Sequence, residues 1–266
     1  MTHTHQYFSE IHASKESQWF GMEDSTPDTA EIIELREKLA ASPDQIPPMI
    51  ELADQLGHHL RYREAIALYS LVLEKEPSHY EARRKRAPRY FSTLQLGEAL
   101  ADYAQCARER PDSGEVQYRL GITAYAMRDD DQARVCFSRC LDLFADDPEM
   151  LVASAYWLAL TSAREKTESG YAFNFGLEIS HHVGYRDGLG AFCGEFSSEE
   201  IHRKWSQNED TLNGGIALYA LVYCYARKGD MARAGEILEE LLAADEFWAG
   251  FAYIAAWTDR GRLCLL

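Results

Sequence analysis

Apolar residues recur along this chain at steps of three and four, the spacing that lines one face of an α-helix. They come in paired stretches divided by a few polar residues, and the pairs repeat. Three blocks of 34 residues, 46–79, 80–113 and 114–147, abut without a gap and carry the same residue types at the same offsets. A fourth copy lies at 215–248. Each block predicts a helix, a tight turn and an antiparallel second helix. The second helix carries alanine at one offset in every copy (Ala65, Ala99, Ala133 and Ala234) and a large apolar residue four positions on (Tyr69, Tyr103, Phe137 and Leu238). Val72, Cys106, Cys140 and Leu241 follow. Small residues are expected where two helices cross closely, since a larger one overpacks the crossing by about 1–3 kcal/mol. Pro77 and Pro111 end the second helices of the first two blocks, because proline cannot continue a helix interior.

With its Leu120-Gly121 pair, Ala133, Phe137 and the closing prolines of the earlier blocks, the chain resembles the tetratricopeptide repeat (TPR) family. That resemblance implies an all-α fold, a right-handed superhelix of stacked antiparallel helix pairs, in which each unit needs its neighbours to bury its apolar face. It also implies a protein or peptide partner held by the first helices of successive repeats.

Outside the blocks, residues 1–25 read as a flexible arm or, alternatively, as a short motif that docks on its own groove or on another protein. Residues 26–45 read as a capping helix, with Thr26 as N-cap and Pro27 in the first turn. Residues 148–182 read as a degenerate repeat whose second helix is YAFNFGLEISHH, 183–214 as connecting helices with a capping box at Ser197 and Glu200, and 249–266 as a closing helix. The whole of 26–266 is read as one array. The order of elements in the second half is similar to the C-terminal half of bacterial NlpI-type TPR lipoproteins, which act as adaptors to a protease. The lipidated cysteine and signal peptide of that family have no counterpart here, so its periplasmic role does not transfer.

The repeat register places Ile50, Asp54, Gly57 and His58, then Arg84, Pro88, Phe91 and Ser92, then Tyr118, Ile122, Tyr125 and Ala126 on the inner face. Arginine beside aromatic residues is an anchor composition for protein interfaces. The expected binding set is Arg84, Lys85, Arg89, Phe91, Tyr118, Arg119, Ile122 and Tyr125. The basic run RRKRAPR at 83–89 reads either as a solvated helix face or as an acidic-peptide contact, and Pro88 within it should kink that helix or delay its start. Relatives that clamp a C-terminal carboxylate carry Lys and Asn where this chain has Ile50 and Asp54; only Arg119 matches their pattern, so the clamp does not transfer.

A net charge of −16 disfavours non-specific nucleic-acid binding. No apolar run reaches the ~18 residues of a membrane span, and the polar start lacks the apolar core of a secretory signal. Six scattered cysteines, with Cys106 and Cys140 at one inward offset, suit a reducing, cytoplasmic compartment better than a disulfide framework. Cys136 and Cys140 share a helix face but have no second ligand pair, His181-His182 form no HExxH motif, and Asp129-Asp130-Asp131 suits a helix cap better than a calcium loop. Met1-Thr2-His3 could bind copper through a free amine. No metal or cofactor is therefore expected, and no arrangement calls for catalysis. The expected function is a non-enzymatic adaptor or scaffold that binds a protein or peptide in the repeat groove. The alternative is a cytosolic chaperone for one secreted or assembly-prone client.

Overall fold

The computed structural model describes residues 11–206 and 208–260; Met1, His3, His5 and Cys264 lie outside them, and with them the copper reading. The chain divides into two compact units at Pro111 and Asp112. The first holds α1 (Lys15–Phe20), α2 (Ala30–Ala41), α3 (Ile46–His58), α4 (Tyr62–Lys75), α5 (Tyr80–Ser92) and α6 (Leu96–Glu109). The second holds α7 (Gly114–Ala126), α8 (Asp130–Leu143), α9 (Pro148–Arg164), α10 (Val183–Cys193), α11 (Ser198–Trp205), α12 (Thr211–Arg227), α13 (Met231–Ala243), a 3-10 turn (Asp245–Phe247) and α14 (Phe251–Asp259). No strand occurs among the described residues, so the fold is all-α and built of repeated helix hairpins.

The hairpins α3–α4, α5–α6, α7–α8 and α12–α13 fall on the four copies of the sequence period. Their crossing residues Ala65, Ala99, Ala133 and Ala234 are fully buried, as are Tyr69 and Phe137. The turn between the two helices repeats as well. Leu60, Leu94, Arg128 and Gly229 occupy one offset and all adopt positive φ, of 57°, 61°, 66° and 79°. The residue after each donates its N–H to a carbonyl five positions back: Arg61 to Leu56, Gln95 to Tyr90, Asp129 to Ala124 and Asp230 to Tyr225. This left-handed closure satisfies carbonyls that the first helix leaves open at its end. Asp129 and Asp230 then cap the second helices of the last two copies, accepting from the N–H of Gln132 and Arg233.

Several expectations are corrected by the fold. The helix of residues 26–45 starts at Ala30 with Thr29 as N-cap; Thr26 instead bonds to the His12 carbonyl and Asp28 pairs with Arg36 and Arg61. Helix α5 starts on time and runs through Pro88, which lacks the N–H that would meet the Arg84 carbonyl. No helix forms over 171–182. The Glu149 carboxylate there accepts the backbone N–H groups of Ser180, His181 and His182, and holds the segment in an irregular path. Helix α9 packs against α8 and, in place of a helix over 171–182, against α10. Helix α10 approaches α12 closely through glycine: a Cβ on Gly184 would lie 2.2 Å from the Asn213 carbonyl oxygen, and one on Gly188 3.0 Å from Ala220 Cβ.

The described part of the arm is not free. Trp19 is buried and donates its indole N–H to the Ser92 carbonyl at 2.9 Å. Ala13 N–H bonds to the His59 carbonyl, and Arg63 donates to the Gln18 and Trp19 carbonyls. Helix α1 therefore spans the turn edges of the first two hairpins. A large aromatic gains enough by burial to order a segment whose remaining side chains are mostly polar or exposed.

Candidate protein-interaction site

The expected binding residues divide between the units. In the first, α5 presents Arg84, Lys85, Arg89 and Phe91. Phe91 is buried in the hairpin core, so it is not an accessible anchor. Arg84 is bonded to Glu81 at 2.9 Å, and Lys85 to Asp54 at 2.5 Å, where Asp54 also accepts from Tyr69. Arg86 makes a bidentate pair with Asp102, at 2.8 and 2.9 Å. Arg89 lies over the Tyr62 ring, 5.0 Å from its centroid, and packs against Gly57. Arg83, Arg84, Lys85 and Arg86 thus each pair with a carboxylate of their own unit, and an acidic peptide would compete with those partners. The motif RRKRAPR shows the cations without showing those carboxylates.

In the second unit, α7 presents Tyr118, Arg119, Ile122 and Tyr125. Ile122 and Tyr125 are fully buried and Tyr118 nearly so; only Arg119 reaches solvent, paired with Glu115 at 3.2 Å. Tyr125 packs against Trp157 of α9 and Tyr219 of α12, while Tyr118 and Arg119 meet the chain's own last described helix. Helix α14 packs against α7, α12 and α13. At its start, the Phe251 ring meets Tyr118 edge-on at 6.4 Å, with the Arg119 guanidinium 5.9 Å above it. Tyr118 in turn accepts from the Trp157 indole and donates to Tyr185.

At the other end of α14, Asp259 enters a buried polar cluster. Its carboxylate is fully buried and accepts from Arg164 Nη2 at 2.9 and 3.1 Å and from the Tyr219 and Tyr223 hydroxyls at 2.6 Å each. Arg128 Nη2 lies 2.8 Å away as an ion pair without hydrogen-bond alignment. The Arg164 side chain is 1 % exposed, and stacks 3.4 Å from the Tyr125 centroid. It also donates to the Tyr125 carbonyl, the Tyr223 hydroxyl and Asp130. Burial opposes charge on Arg164, yet the tyrosines and Asp259 hold its pKa well above the ordinary value. Burial, then the charge of Asp259, pushes the Tyr219 phenol well up, so it stays a donor. Burying charge is costly, and this cluster offsets the cost by giving both Asp259 oxygens at least one donor.

Sequence reasoning found Tyr125 but missed Arg164, Tyr219, Tyr223 and Asp259. The available signals were a lone arginine ending an apolar helix (WLALTSAR) and two tyrosines one helical turn apart on α12.

Two of these hairpins also match a known family. The tetratricopeptide repeat model matches residues 115–147 and 216–245. These are the third and fourth copies, so the TPR repeats are present where the register puts them. A solved TPR protein, YrrB, described as having an unusual peptide-binding site, is similar at 18% identity, over 81% of this chain and 95% of its own, with a TM-score of 0.46. No curated protein matches, so the NlpI-type likeness rests on the order of elements alone. Among the described residues no helix is long and apolar enough to cross a membrane, and no three His, Cys, Asp or Glu residues are grouped to hold a metal ion. Burial pushes the Cys136 and Cys140 thiols up to about 11 and about 12, which favours packing over ligation.

Proposed function

We propose that this protein is a non-enzymatic adaptor that binds a helix or peptide of a partner protein on the first helices of its TPR hairpins. The observation that carries the reading is α14: the α7 face takes a short helix, whose Phe251 ring meets Tyr118 edge-on and lies under the Arg119 guanidinium. TPR hairpins are in general a protein-recognition scaffold. Within each unit, the accessible members of the expected set are the ones to contact a partner: Arg84 and Lys85 on one, Arg119 on the other. The five described cysteines are all unpaired, which supports a reducing, cytoplasmic compartment. Affinity capture from the native host with the wild type and with Arg84→Glu/Lys85→Glu and Arg119→Glu variants tests the reading. A stoichiometric partner should be lost with at least one variant at unchanged helix content. Retention of every partner by both variants would refute this assignment.

A further inference from the structure

Everything that surrounds Asp259 is what a receptor for a single helix-borne carboxylate requires. Arg164 supplies a charge-assisted pair, Tyr219 and Tyr223 donate from neighbouring turns of α12, and Arg128 adds a second positive charge. All four belong to the repeat body, and only the acid belongs to α14. A closing helix needs no such arrangement, since apolar residues of similar volume cap an array at least as stably as a buried ion cluster does. The attachment of α14 also differs from that of the hairpins. It has nine residues, too few to hold together alone, follows a 3-10 turn, and starts at Gly250 with no side-chain N-cap. Its buried apolar residues are Ala252, Tyr253, Ile254, Ala255 and Ala256, between an aromatic start and an acidic end, and the Tyr253 hydroxyl donates to the Leu242 carbonyl.

We infer that Arg128, Arg164, Tyr219 and Tyr223 form a carboxylate-recognition site for an acidic helix of a partner protein, and that α14 is its built-in competitor. The inference rests on the binding role proposed above and gives it a ligand chemistry: a helix with an aromatic residue at its start, an apolar buried stripe of mixed small and large side chains, and Asp or Glu at its end. The partner helix replaces α14 on α7 and α12, and its carboxylate takes the place of Asp259. Partner affinity is then set by competition with a helix tethered to the same unit.

The test uses the full chain and a labelled, end-blocked peptide of residues 249–260. In the wild type, hydrogen exchange should show α14 amides opening at least about tenfold faster than those in the middle of α12, the mark of a sub-global detachment. Exchange of α14 and α12 at one rate makes α14 an integral element and overturns the inference. Asp259→Asn weakens the internal competitor, so this variant should bind the peptide at least about tenfold more tightly than the wild type does, and the peptide carrying Asn at that position should lose the gain. Equal binding of both peptides, or none to a variant whose helix content is intact, overturns it as well. A concentration-dependent dimer of the variant that excludes the peptide would instead assign the site to a second copy. Partner capture that depends on Arg84 or Lys85, which lie in the other unit, can still succeed if this site fails, so the two readings fail separately.

Discussion

At the left-handed turn offset, Gly229 does in the fourth copy what Leu60, Leu94 and Arg128 do with side chains in the others. A Cβ added to Gly229 meets nothing within 4 Å, so Gly229→Ala isolates the backbone term. It should destabilise the second unit by about 1–2 kcal/mol, read from the urea midpoint. Gly121 is a different case, because its φ is ordinary and its surroundings are crowded. A Cβ there would lie 2.8 Å from Phe137 Cε1 and 3.0 Å from Cys136 Cβ. Gly121→Ala should therefore cost about 1–3 kcal/mol by overpacking, and a neutral result would show that Phe137 moves freely. The Leu-Gly pair of the TPR pattern is thus explained by one close approach inside a hairpin.

Single elements are held by contacts that no helical period reveals. The backbone bonds from Ser180, His182 and His181 outweigh burial and lower the Glu149 pKa to about 2. Unfolded, the group titrates near about 4.3. The folded value is the depressed one, so its contribution is complete above about 4.3 and is lost as pH falls through about 2. Acid unfolding followed between pH 5 and pH 2 should lose this component in Glu149→Gln, which should also loosen 180–182 at neutral pH by hydrogen exchange. An unchanged acid profile would show that the anchor does not contribute. Helix α1 poses a similar case. Trp19→Ala removes the indole bond to Ser92 and a buried ring, and residues 15–20 should lose exchange protection at once. The sequence showed Trp19 and Phe20 in a polar context but could not show that one would be buried while the other stays exposed, since both receiving turns lie far along the chain.

Across the second unit, the Arg164–Asp259 pair joins the end of α9 to the end of α14, with α7 and α12 contributing tyrosines between them. Either residue changed alone to alanine leaves the other buried charge with one remaining counter-ion, Arg128 for Asp259 or Asp130 for Arg164, at a cost of up to about 3–5 kcal/mol. The double variant Arg164→Met/Asp259→Leu should recover much of that, and additive losses in a double-mutant cycle would disprove the coupling. What the sequence determined by itself is local and periodic: the hairpins, their crossing alanines, and the four copies. Each of these follows from residues at fixed short separations that one helix face or one turn brings together. What only the tertiary structure decided is where the non-periodic residues go. Arg164 meets Asp259 across 95 residues, Tyr125 meets Tyr223 across 98, and the basic run meets its own acidic partners. Such contacts depend on how hairpins stack, and a 34-residue register does not carry that information. The contact of Tyr118 with Phe251 of α14 likewise came into view only with the fold.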